Sequence, residues 1–228
     1  MAGRLYIPML ELSPLLPGLV THAPLMTSVN QAPRRPLSMI RQESGKPCLT
    51  AAFWGLTPPW LKVLDHAPHC ARAESLTERN MFSEAFQARR CLIPVSGVYV
   101  WKPQPRWKQP FLVTRIDRGP LLLAGIWCRY HTTLSAYNDS TALITAPSNA
   151  LLAPLSDRLP ALIAPEQAAT WLAPSTPLET LSRMLSPAPM ELLGAFPVSR
   201  RVNDPMCQDW SCAHPTGSML RWQPVQET

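Results

Sequence analysis

The sequence predicts an α+β fold, a single strand-rich domain with helices set on its outside. Three observations point there. The chain carries 27 prolines, which break long helices and favour short strands and turns. Only 9 glycines accompany them, so this is not a flexible low-complexity chain. Between the breakers lie apolar runs of strand length, and few stretches with helical spacing. At 228 residues the chain can bury roughly 70% of its unfolded surface and needs no crosslinks to hold a core.

Taken in order, Arg4 to Met9 reads as a short strand ended near Pro8, followed by loop and turn to Pro36. LSMIR (37–41) and LTAAFW (49–54) have strand length and apolar content. Gly55 and Pro58-Pro59 then break the chain before Trp60. Residues Glu78 to Arg90 predict a helix, with Phe82, Ala85 and Phe86 on one face, Thr77 as its cap, and Arg89 and Arg90 at its C-terminal end. Strands follow at 91–94, 98–102, 110–115, 121–128 and 141–145, with Asp117-Arg118-Gly119 joining two of them as a hairpin. Asn149 to Leu152 predicts a helical turn and Arg158 to Ile163 a strand. Helices are predicted at 165–171, with proline in the first turn, and at 178–185. PVSRRV (197–202) predicts a last strand, and the tail beyond Pro205 shows no pattern.

The net charge of +6 favours nucleic acid or an acidic partner, and serves solubility equally well. None of the six cysteines forms a Cys-x-x-Cys pair, so buried free thiols in a reducing cytosol are expected. His66, His69 and Cys70 lie close in sequence, but no second ligand pair stands at zinc-finger spacing, so no metal is expected. The N-terminus lacks a charged start followed by an apolar core, so no signal peptide is expected, and no apolar run is long enough to span a membrane.

A series of motifs runs along the chain: Met-x-Gly-Arg at the start, NQAP (30–33), WGLTPPW (54–60), ARAE (71–74), RRCLIPVSGVYVWK (89–102), LITAPSNALLAPLSDRLP (143–160) and PVSRRVNDP (197–205). In this order and spacing they resemble the SOS response-associated peptidase (SRAP) family, proteins that process abasic sites. The resemblance implies one SRAP domain over residues 1–205, with strongly curved antiparallel sheets forming a barrel-like core, and a C-terminal tail of 206–228. It implies single-stranded or abasic-site DNA as partner, no cofactor, a monomer, and a cytoplasmic location, beside the nucleoid in a bacterium. It also implies a chemistry. A cysteine exposed by methionine removal captures the sugar aldehyde as a thiazolidine, while a glutamate and a histidine assist the proton transfers.

The residues at those three positions depart from the family. They are Ala2, Val100 and Ser156. A thiazolidine cannot close without sulfur, valine moves no proton, and serine does not titrate near neutral pH. Self-cleavage ahead of residue 2 is not expected either. Cys70 stands where the family has asparagine; its neighbour His69 would point to the opposite face of a strand, and without a depressed pKa an inert thiol is the better reading than a substitute nucleophile.

The residues that match the family's DNA-binding positions persist: Arg4, Pro33, Trp60, Arg72, Thr145 and Arg158. Leu61 replaces a second tryptophan. Each has a duller reading as well. Trp60 would cover the core, Arg72 would bridge to Glu74 or Asp157, and Arg158 would form a turn pair with Asp157.

Three functions follow. The first is binding of single-stranded or abasic DNA without crosslinking. The second is a residual Schiff-base lyase using the Ala2 α-amine. The third is a non-catalytic partner or regulator in DNA repair that docks through its tail, in which case the tail should be removable without loss of the fold.

Overall fold

The computed structural model describes residues 3–61, 67–133 and 136–223. Its strands form two sheets. The larger is built around β4 (Pro36–Glu43), β5 (Lys46–Trp54), β7 (Arg90–Val95), β10 (Leu121–His131) and β11 (Tyr137–Pro147). These pair in the order β11-β10-β7-β4-β5, and β5 returns to β11 through Phe53↔Ser140 and Trp54↔Thr141. The ring is therefore closed, which leaves these five strands without a free pair of edges. Short strands β2 (Val20–Thr21), β6 (Cys70–Arg72) and β12 (Arg158–Pro160) attach to β5 and β11.

The second sheet joins β1 (Arg4–Ile7), β3 (Ser28–Gln31), β8 (Gly97–Pro103), β9 (Lys108–Arg115), β13 (Leu193–Pro197) and β14 (Leu220–Arg221).

Period-two alternation assigns the faces. Cys91, Ile93, Val95, Leu121, Leu123 and Leu143 point toward the second sheet, where they meet Leu5, Val98, Val100, Val113 and Ala195. Their neighbours Leu92, Leu122, Ala124, Ile126 and Ile144 point the other way, onto Phe86, Trp171, Leu181 and Met184 of the helices α1 (Ser83–Ala88), α2 (Ala168–Leu172) and α3 (Leu178–Met184). Both faces of β7 and β10 are thus covered, which is why these strands read as unbroken apolar runs.

Arg90 ties the helices down. Its buried guanidinium donates to the carbonyls of Phe86 and Gln87 at the end of α1, and to Trp171 and Ala173 at the end of α2. One side chain thereby satisfies orphan carbonyls at two helix C-termini.

Several expectations change. The helix expected at 78–90 is confined to 83–88; residues 75–82 make hydrogen-bonded turns, and its N-cap is Phe82, with no side-chain cap, rather than Thr77. The Asp117-Arg118-Gly119 turn, with Arg118 at φ 63°, does not make a hairpin. It carries the chain from β9 in one sheet to β10 in the other. A two-residue hairpin instead lies at Ser44-Gly45, at φ 48° and 79°, between β4 and β5. The strand expected at 197–202 ends at Pro197, and Ser199 Oγ caps a 3-10 turn over Arg200–Asn203. The stretch expected to be loop before Pro36 contains β2 and β3. Residues 206–221 are not an appendage. Cys212 and Ala213 pack with Tyr99, Leu112, Phe196 and Val202 on the outer face of the second sheet, and β14 extends it. Removing the tail would uncover that core, so the expectation of a dispensable tail is not kept.

Candidate nucleic-acid interface

The motifs converge because they pair with one another. In NQAP, the buried Asn30 donates through Nδ2 to the carbonyls of Val202, Asp204 and Cys207, fixing PVSRRVNDP against β3. After Pro33, Arg34 turns at φ 64° and exchanges backbone hydrogen bonds with Trp54 through its own N–H and the Arg35 carbonyl. Gly55 N–H then donates to Thr141. ARAE lies along β11, with Arg72 opposite Thr145, while Thr145 also pairs with Pro160 of β12. Residues far apart in sequence are held on neighbouring strands.

A cleft of about 960 Å³ opens at the end of the second sheet. Arg4, Trp101, Arg106, Trp107, Lys108 and Arg200 line it, with Ser156, Asp157 and Asn203 opposite. Four cations thus face one carboxylate. Arg4 stands on β1 opposite Tyr99 of β8. Its guanidinium donates to the carbonyls of Gly3 and Asn203, and its Nε is buried without a partner among the described residues. Burial, and then the neighbouring Arg35 charge, hold its pKa below the ordinary arginine value, against the opposing pull of Asp204. A half-buried cation crowded by another cation gains from any anion that enters. Trp101 is anchored by its Nε1 donating to Asn203 Oδ1 at 2.7 Å. Arg200 stacks over Trp107 with 5.1 Å to the ring centroid.

Of the expected contact residues, only Arg4 lines this cleft. Arg158 neighbours it at the end of β12. Its guanidinium grips Glu74 with both nitrogens, at 3.0 and 2.7 Å, and Thr145 through the carbonyl and hydroxyl. Hydrogen bonds from Arg158 hold the Glu74 carboxyl below the ordinary range. The bridge expected for Arg72 therefore belongs to Arg158, and the Asp157–Arg158 turn pair does not form. Arg72 is exposed and makes no ion pair among the described residues. Thr145 is fully buried, its hydroxyl donating to the Ala71 carbonyl, so it acts on the surface only through Arg158. Pro33 is half-buried beside the Arg34–Arg35 turn. Trp60 is 55% exposed, so it does not cover the core. Its neighbour Leu61 lines a separate apolar hollow with Phe53, Tyr130 and Tyr137.

Ala2 and His66 lie outside the described residues. Val100 is 1% exposed and sits in the core between the sheets. Ser156 faces the cleft, but its hydroxyl donates to the Arg158 carbonyl. Burial pushes the Cys70 thiol up to about 12, which keeps it protonated at neutral pH. His22, Glu43 and Cys48 have ligand atoms within 4.8 Å of one another, but Glu43 is already shared with Arg41. Sequence reasoning missed Arg106, Trp107, Lys108 and Arg200. The available signal was basic residues interleaved with tryptophan in the PRWK turn of the β8–β9 hairpin.

A six-stranded sheet packed on a closed five-strand ring, with a basic, tryptophan-lined cleft at its end, is the architecture of this domain. The family model for SOS response associated peptidase (SRAP) matches residues 14–205. The chain belongs to the SRAP family. It is 30% identical over 182 residues to the abasic site processing protein YoqW of Bacillus subtilis (strain 168), covering 78% of this chain and 81% of that one. It is 27% identical over 180 residues to the abasic site processing protein YedK of Escherichia coli (strain K12), covering 77% and 78%. A crystal structure of a protein from Bacteroides thetaiotaomicron superposes with a TM-score of 0.75 at 21% identity, over 84% of this chain and 86% of that one. That last likeness speaks to the fold alone.

Proposed function

We propose that this SRAP protein binds single-stranded DNA, including strands with abasic sites, without forming the family's thiazolidine crosslink. The observation that carries the reading is Arg4: half-buried, crowded by Arg35, with an unpartnered Nε, in a cleft where Arg106, Lys108 and Arg200 outnumber Asp157. Phosphates supply most of the affinity of such a surface. Trp107 and the half-exposed Trp101 offer ring faces for stacking, worth ~1–3 kcal/mol per base. The exposed Arg72 adds a positive charge along β6 beside the Arg158–Glu74 pair. The absence of crosslinking rests on residue types: Ala2 brings no sulfur, and neither Val100 nor Ser156 can move a proton near neutral pH.

The test is a crosslinking assay on single-stranded abasic DNA, with the wild-type chain beside Ala2→Cys. Salt-sensitive binding by both, with no heat- and detergent-resistant adduct from the wild type, is expected. A wild-type adduct overturns the non-crosslinking part, and no binding at low salt overturns the whole. Borohydride trapping on the same DNA separates out the Ala2 amine. An adduct seen only with borohydride supports a Schiff base and replaces this reading with a lyase.

A further inference from the structure

The tail that closes the outer face of the second sheet carries a pair of thiols in contact. Cys207 Sγ and Cys212 Sγ lie 3.1 Å apart. Cys212 is fully buried against Tyr99 and Phe196, while Cys207 is half-exposed at the edge of the same cluster. The segment between them is fixed. Asp209 caps the 3-10 turn Trp210–Ala213 through its carboxylate on Ser211 N–H, and Arg201 pairs with Asp209 at 3.1 Å. Gln208 reaches back to Ser28 and the Asn30 carbonyl, and the Cys207 carbonyl accepts from Asn30.

We propose that Cys207 and Cys212 are a modification site, a dithiol that a hydroperoxide closes to a disulfide, stapling the 207–212 turn to itself where it packs beside Tyr99. Three features of the site favour this. The sulfurs need approach by only about 1 Å to reach bonding distance. The environment separates their roles. A hydrogen bond from Cys212, then one from the Asp209 N–H, with Arg201 nearby, lower the Cys207 pKa, whereas burial pushes Cys212 up to about 12. The half-exposed sulfur is therefore the nucleophile and the buried one resolves. Burial raises the thiols of Cys70, Cys91 and Cys128, so these compete poorly for the oxidant.

The Cys207 thiolate attacks one peroxide oxygen. The O–O bond breaks, a sulfenic acid forms at Cys207, and the second oxygen leaves as hydroxide or alkoxide, taking up a proton. Cys212 Sγ then attacks Cys207 Sγ. The S–O bond breaks, the hydroxyl leaves with the Cys212 proton as water, and the S–S bond forms. Two thiols give up two electrons, and the hydroperoxide takes them.

The experiment treats the reduced full chain with hydrogen peroxide, quenches with a thiol alkylator under denaturing conditions, and counts thiols by intact mass. The count should fall from six to four, with peptide mapping placing the link at Cys207–Cys212. Cys207→Ala should leave all remaining thiols alkylated. Cys212→Ala should leave Cys207 as a sulfenic acid trapped by dimedone. A count that stays at six, a loss confined to other cysteines, or a link between two chains would overturn the proposal. These readouts do not depend on DNA, so they stand or fall apart from the binding function.

Discussion

The cleft makes a quantitative prediction about salt. Arg4, Arg106, Lys108 and Arg200 are its cations. If each neutralises one phosphate of a single strand, the log–log slope of affinity against salt is about −2.8. Between about 50 and 200 mM salt that slope costs roughly 50-fold in affinity. Arg106 and Lys108 lie on the exposed tip of the β8–β9 hairpin, with Trp107 between them. Replacing both with alanine leaves the core untouched and removes half of the charge. The slope should relax to about −1.4, and the same salt change should then cost only about 7-fold. Fluorescence anisotropy of a labelled oligonucleotide, titrated at several sodium chloride concentrations, reads both numbers. Unfolding in urea checks that the variant is intact. A variant slope equal to the wild-type slope would refute the placement of the strand in this cleft. A uniform loss of affinity with unchanged slope would also refute it, because it would point to lost stacking rather than lost phosphate contacts.

Three further predictions concern the scaffold. Arg90→Met strands four carbonyl acceptors at the ends of α1 and α2; urea unfolding should show a loss of about 3–5 kcal/mol, partly restored by lysine, and a loss below about 1 kcal/mol would rule out the double cap. Asp139 is buried, which alone would raise its carboxyl, but hydrogen bonds from Arg129 and the charge and hydrogen bond of Arg41 leave it below the ordinary range. Its contribution is therefore present above the unfolded carboxylate value of about 3.9 and lost as pH falls through the lower folded value. Asp139→Asn should cost about 3 kcal/mol at neutral pH and flatten the acid side of a stability–pH curve; an unchanged acid limb counts against the assignment. Gly97→Ala would place its Cβ 2.8 Å from both Leu112 Cδ1 and the Val113 carbonyl, so thermal unfolding should report a loss of about 1–3 kcal/mol, and a neutral result would mean that β8 and β9 can part.

The long apolar strands were legible because burial on both faces leaves an unbroken signature, as in β7 and β10. Strand β3 was not. Its sequence, SVNQ, is mostly polar, and Asn30 is buried for its hydrogen bonds rather than for apolar contact. Periodicity also cannot reveal which sheet a strand joins, so the Asp117–Gly119 turn read as a hairpin although β9 and β10 part company there. In the interface, the motif order pointed to Arg4 and to the Arg158 region. It could not show that Thr145 faces inward, or that Glu74, in the turn after β6, engages Arg158 of β12. The PRWK turn and Arg200 went unnoticed because their charges converge only when the hairpin folds beside the 3-10 turn after β13.

The closed ring has a consequence for synthesis. Its final joint needs Phe53 and Trp54 to meet Ser140 and Thr141, and the second partner leaves the ribosome long after the first. At about 5–20 residues per second, the open side of β5 waits roughly 4–17 s for its mate. During that interval a nascent chain displays an unsatisfied backbone ladder, the feature most prone to recruit a foreign strand. A fragment truncated before β11 should therefore behave as a sticky half-shell rather than as a smaller domain.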